Sequence, residues 1–107
     1  MKLEESHTHG PTEPPLRDLT LGDLLREAAE DCPERPALIT GESDPADRRQ
    51  WTYAELYADA LVVARALGER FEPGERIAVW APNIPEWILH EFGSALAGTI
   101  LVTVNPA

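Results

Sequence analysis

The sequence predicts an α/β fold in which helices pack on a partly parallel sheet, and three observations predict it. Two segments carry apolar residues at helical spacing, each behind a Thr able to cap a helix. Between them, the run ALIT is followed by a Gly/Ser/Asp/Pro-rich stretch and then RQWTY, the pattern of a β-hairpin. The closing stretch IAVWAPNIPEWILHEFGSALAGTILVTVNPA reads strand, helix, strand. A helix of that length between two strands makes a βαβ unit, whose strands run parallel through a right-handed crossover.

In chain order, residues 1–18 are an arm rich in Pro, Glu, Thr and His, too poor in apolar side chains to order itself and expected to be flexible. The domain occupies residues 19–107. Its first helix starts at Thr20, three residues before Asp23, which is capping-box spacing: the hydroxyl accepts from a free backbone N–H and the carboxylate suits the positive helix end. Leu21, Leu24, Leu25, Ala28 and Ala29 form one apolar stripe, and Pro33 stops the helix. ALIT is a short strand, GESDPADRR a surface turn, and RQWTY the returning arm.

Thr52 and Glu55 repeat the cap at the head of the longest helix, which is expected to reach Arg70 with Leu56, Tyr57, Ala60, Ala64 and Leu67 on one side. EPGE turns the chain, since Pro73 and Gly74 suit backbone angles that other residues resist. RIAVWA is expected to be a buried strand closed by Pro82. Asn83 is the expected cap of the last helix, with Pro85 in its first turn and Glu86 as a first-turn acid. Small Gly93, Ser94 and Ala97 let that helix lie close to a sheet, and Gly98 ends it. TILVTV is too apolar for a raw sheet edge, so its neighbours are expected later in a longer chain.

A chain of 107 residues holds one domain at most, and its core is modest; at this size roughly 60 to 70% of the unfolded surface becomes buried. Nine Lys and Arg against nineteen Asp and Glu give a formal net charge of −10. That balance disfavours nucleic acid and anionic membranes as partners. The single Cys32 rules out an internal disulfide, fits a reducing compartment, and reads as filler beside Pro33. MKLEESHTHGPTEPPL lacks the apolar run of a signal peptide, and no apolar stretch approaches the ~20 residues of a membrane helix, so a cytoplasmic protein is expected.

Few side chains suggest chemistry. His7 and His9 in HTHG offer two metal ligands, but a pair on a floppy tail makes a weak site and a solvated tail is favoured. Trp51, Trp80 and Trp87 could line an acyl pocket, although aromatic residues at such positions are more often core. His90 lacks a Ser, Cys or acid at a partner spacing and reads as a surface or satisfied histidine. Glu86 and Glu91 are five apart, off a common helix face, and are expected to be solvated. No catalytic, cofactor-binding or metal-binding residue is assigned.

LGDLLREAAEDCPERPALI, WTYAELYADALVVARAL and PGERIAVWAPNIPEWILHEFGSALAGTILVTVNPA resemble, in that order and spacing, the N-terminal region of AMP-forming acyl-CoA synthetases of the adenylate-forming superfamily. WTYAEL corresponds to that family's first core motif and LAGTILVTVNP to its second, and the likeness covers Leu19 to Ala107. The resemblance implies an incomplete N-terminal subdomain of the adenylate-forming fold, truncated before the catalytic motifs. It implies a parent enzyme that joins a carboxylate, most similar to the fatty or medium-chain branch, to ATP with Mg²⁺ and passes the acyl group to coenzyme A. Such chemistry needs a Gly-rich phosphate loop and a catalytic Lys; neither is present, because Lys2 in the arm is the only lysine. The piece alone is therefore expected to be inactive, with the rest of the synthetase chain as its partner. The alternative is a free-standing α/β interaction module that self-associates through its open sheet.

Overall fold

The computed structural model describes residues 8–106. Lys2, His7 and Ala107 lie outside the described residues. Residues 8–20 are exposed and carry no helix or strand. Arg17 near their end forms an ion pair with Glu27 of the first helix.

Helix α1, Leu21–Asp31, begins where predicted: the Thr20 hydroxyl accepts from the Asp23 N–H at 3.0 Å and donates to the Asp23 carboxylate at 2.7 Å. It stops one residue before the Cys32-Pro33 step, and the Cys32 thiol donates to the Ala28 carbonyl at 3.2 Å, a packing role. The apolar stripe is rotated from the predicted one. Leu25 and Gly22 are buried while Leu21 and Leu24 are exposed. Gly22 sets this face, because a Cβ there would meet Leu96 Cδ2 at 2.9 Å; the missing side chain lets α1 settle on the last helix.

Strand β1, Pro36–Ile39, pairs antiparallel with β2, Gln50–Thr52, as the hairpin pattern predicts, with a register shift between Pro36 and Leu38. The turn between them holds a short 3-10 segment, Pro45–Asp47, capped by the Asp44 carboxylate on the Ala46 N–H. Helix α2, Tyr53–Gly68, follows β2 without a break, two residues short of the expected Arg70. Both legs of its capping box are made, Glu55 N–H to the Thr52 hydroxyl at 3.2 Å and Thr52 N–H to the Glu55 carboxylate at 2.8 Å. The next free helix donors are also taken, Tyr53 N–H by the Arg35 carbonyl and Ala54 N–H by the Pro33 carbonyl. Thr52→Ala removes one leg and should cost about 1 kcal/mol, read as a lower urea midpoint, whereas Thr52→Ser should be near neutral. An unchanged midpoint in Thr52→Ala would show that the tertiary bonds alone hold this helix start.

Strand β3, Arg76–Trp80, and β4, Ile100–Val104, pair in parallel, Arg76 beside Ile100 through Trp80 beside Val104. Helix α3, Glu86–Ala97, connects them, so the βαβ reading holds. Two glycines set its turns: Gly74 at φ +88° and Gly98, the helix terminator, at φ +73°. They are stitched together, Gly74 N–H donating to the Gly98 carbonyl and Ile100 N–H to the Glu75 carbonyl, both at 2.8 Å. The hairpin and the parallel pair are separate two-stranded sheets, with the helices between them.

The core lies where the three helices meet the hairpin: Leu25, Trp51, Leu56 and Ala60 are buried, and Leu38, Leu89, Phe92 and Leu96 pack around them. The stripe predicted on α2 agrees, since Leu56, Ala60 and Leu67 are its buried residues. The close approach predicted for Gly93 is made to α2 rather than to a sheet: a Cβ there would stand 2.5 Å from Val63 Cγ1. RIAVWA is not buried as expected. Its residues alternate between exposed and half-buried, and Trp80 is 73% exposed. The alternation puts Arg76, Ala78 and Trp80 on one face, beside Ile100, Val102 and Val104, and all three aliphatic side chains of β4 there are exposed.

Candidate functional site

Ligands of parallel α/β sheets bind outside the carboxyl ends of the strands. Here those ends are Trp80 and Val104, extended by the β3–α3 loop and by Asn105. Two clefts open at this edge and share Asn83 and Trp87 as walls. One, of about 390 Å³, lies toward the hairpin, between Ile39 and Glu42 on one side and Ile84 and Ile88 on the other. The second, of about 380 Å³, faces the end of β4, with Ala81, Thr103 and Asn105 around it.

Asn83 is in the clefts because it is not the helix cap. The N-cap position of α3 is Pro85, which makes no side-chain cap bond, and the first helix donors are Trp87 N–H to Ile84 and Ile88 N–H to Pro85, both at 3.0 Å. The predicted capping role of Asn83 is thereby corrected: Pro85 fixes a helical φ two residues later, and the helix starts from there. Trp87 is half-buried and anchored, its Nε1–H donating to the Ala81 carbonyl at 3.0 Å.

The wall toward the hairpin is tied down by charge. Arg49 pairs with Glu86 at 3.1 Å and lies over the Trp51 ring at 4.6 Å, so it joins β2 to the first turn of α3. Glu86 is therefore exposed but paired, where solvation alone was expected; Glu91 is exposed. The Glu86 carboxyl is held below the usual range by its own backbone N–H at the helix start and next by Arg49. A hydrogen bond with Thr40 is the main cause of the same downward direction at Glu42, and the Thr20 hydroxyl that at Asp23.

All three carboxyls gain stability by being ionised in the folded state. That contribution is complete above their unfolded pKa of about 4 and is lost as pH falls through the lower folded value. Carboxyl-detected NMR titration should place each of the three midpoints below the ordinary value for its residue type. Thr40→Val should move Glu42 back up, and Arg49→Met should move Glu86 only partway; a full return of Glu86 would make Arg49 the main cause instead.

The remaining side chains considered for chemistry fall as follows. Trp51 is core, as expected. Trp80 is exposed, against expectation, because the outer face of β3 has no cover among the described residues. His9 is exposed, and no cluster of three or more potential metal ligands occurs among the described residues. His90 is half-buried with its Nδ1 unpartnered, and Ser94 lies one helical turn on with its Oγ also buried and unpartnered. Sequence reading passed over this pair, although the i,i+4 spacing carried the signal.

Apolar walls, the amides of Asn83 and Asn105 and the Glu42 carboxylate can position a ligand through contact and hydrogen bonds. Neither cleft is lined by a Lys or Arg, and ionised Glu42 repels a polyphosphate. The residues here do not fit ATP by themselves, and no reaction step is derived through it.

Residues 25–107 match the AMP-binding enzyme family. The mitochondrial medium-chain acyl-CoA ligase ACSF2 of Danio rerio is 38% identical over 106 residues, which is 98% of this chain and 17% of that protein. The acyl-CoA ligase SID4 of Ajellomyces capsulatus is 35% identical over 109 residues, 98% of this chain and 18% of its own length. A Mycobacterium tuberculosis fatty acyl CoA synthetase superposes with a TM-score of 0.72 at 28% identity, covering 81% of this chain and 17% of that one. The chain thus spans under a fifth of the length of these relatives. The fold is that of an N-terminal subdomain of the adenylate-forming enzymes, and the chain belongs to the AMP-binding enzyme family.

Proposed function

We propose that this chain is the N-terminal part of an AMP-forming acyl-CoA synthetase that acts on a fatty or medium-chain carboxylic acid. The observation that carries the reading is the identity to a medium-chain acyl-CoA ligase along 98% of the chain. In the whole enzyme a carboxylate attacks ATP, pyrophosphate leaves, and the coenzyme A thiol takes the acyl group from the adenylate, with Mg²⁺ offsetting phosphate charge. The residues present here supply scaffold: α3 and the parallel pair hold the strand-end clefts in place, and the rest of the synthetase brings the phosphate loop and lysine. The cytoplasm is the proposed compartment, in keeping with the composition; the Danio rerio relative is named mitochondrial, and cell fractionation decides between the two.

Carboxylate-dependent ATP–pyrophosphate exchange tests the reading. The native-length protein should exchange with a medium-chain acid, and the 107-residue chain alone should not. Exchange by the short chain would overturn the scaffold role, and failure of the native-length protein with short, medium and long acids would overturn the enzyme. The exposed face of Trp80, Ile100, Val102 and Val104 favours a second reading, an interaction module that pairs with itself. A native product of 11.8 kDa that forms a defined dimer would select it.

A further inference from the structure

His90 and Ser94 are four residues apart on α3 and share one face of the helix. Ser94 is 1% exposed, and His90 Nδ1 and Ser94 Oγ are buried without a hydrogen-bond partner among the described residues. Trp87, one turn before His90, bonds the Ala81 carbonyl just past β3, and the Ser94 carbonyl takes the Thr99 N–H at 3.0 Å and the Thr99 hydroxyl at 3.2 Å just before β4. Gly93, beside this face, approaches Val63 of α2, and Leu96 meets Gly22 of α1.

Buried hydroxyls and ring nitrogens are almost always paired, with protein or with ordered water. The two atoms make no hydrogen bond with each other, and helix positions four apart have Cβ atoms about 5–6 Å apart, a gap that one small bridging molecule spans. Both atoms are already sealed from bulk solvent, so neither a larger ligand nor a further chain segment reaches them. We propose that His90 and Ser94 together bind one internal water on this face of α3. The water accepts from the Ser94 hydroxyl and donates to His90 Nδ1. This pairing fixes the imidazole as the Nε2–H tautomer and places a polar pin inside an otherwise apolar layer. It is independent of the acyl-CoA reading, since it rests on the packing of one helix.

A crystal structure of the native-length protein, at a resolution that shows ordered water, tests it. One peak should lie within about 2.7–3.2 Å of both atoms, and it should vanish in Ser94→Ala while the α3 backbone stays in place. A direct Ser94–His90 bond, a Ser94 hydroxyl turned back to the His90 carbonyl, or a dry gap each overturns the proposal. Nitrogen NMR of ¹⁵N-histidine-labelled protein gives a second readout, with His90 identified by its loss in His90→Phe. The wild type should show a single Nε2–H tautomer with a hydrogen-bonded Nδ1, and Ser94→Ala should shift Nδ1 to the unbonded position. A wild-type Nδ1 already at that position overturns the proposal even if the variant does not fold.

Discussion

Trp51→Ala should remove a large part of the stability of this fold, with a loss of about 3–5 kcal/mol out of the 5–15 kcal/mol typical of a whole domain. Trp51 is 8% exposed and belongs to the same buried cluster as Leu25, Leu56 and Ala60. Its ring also carries two polar ties, Nε1–H to the Asp59 carboxylate at 2.9 Å and the Arg49 guanidinium stacked above. Truncation opens a cavity at the junction of hairpin and helices and frees Arg49 from its position toward Glu86. Trp51→Phe keeps a six-membered ring and gives up the N–H and two ring carbons; Asp59 is exposed and can turn to water, so the loss should be smaller, about 2 kcal/mol. Chemical denaturation of both variants separates ring burial from the hydrogen bond. Equal losses would mean that the Asp59 bond, not the buried ring, holds the hairpin down.

Gly93→Ala should destabilise as well, although it replaces a poor helix former by the best one. Propensity alone favours Ala by about 1 kcal/mol. Against that, the new Cβ would lie 2.5 Å from Val63 Cγ1 and 2.7 Å from Val63 Cβ, with the Ala60 carbonyl at 3.3 Å. A β-branched side chain cannot swing its Cβ away, so α2 and α3 must separate, and overpacking of this kind costs about 1–3 kcal/mol or more. The net effect should be a lower Tm. Val63→Gly removes both obstructing side-chain atoms, so Gly93→Ala with Val63→Gly should be more stable than the sum of the single losses, by about 0.5–3 kcal/mol. Strict additivity would show that the helices part without strain.

Local chemistry was legible in the sequence. Both Thr caps, the hairpin, the Gly74 turn, the Gly98 stop and the parallel pairing follow from neighbouring residues, and all are present. What was not legible depends on partners distant in sequence. The alternation of RIAVW marks two faces of a strand but not which one is covered, so Trp80 was placed in the core and stands exposed. The small residues of α3 announce a close approach without naming the neighbour, which is Val63 of α2. Leu21 and Leu24 fit a helical stripe, yet Gly22 is the residue that docks on Leu96. Asn83 looked like a cap because it precedes an apolar helix; Pro85 takes that position and leaves Asn83 in the strand-end clefts.

The stitch between Gly74 and Gly98 also determines where the chain can change length. It holds the starts of β3 and β4 level, so one residue gained or lost at Glu72–Glu75 would slide the strands by about 3.3 Å and turn every side chain of β3 to the opposite face. The connection from Gly41 to Arg48 bears no such constraint, because its residues are exposed and the last hairpin bond, Thr40 N–H to the Arg49 carbonyl, closes outside them. A change of length in this chain is accordingly absorbed at the hairpin tip, whereas the two-glycine turn requires its present residue count.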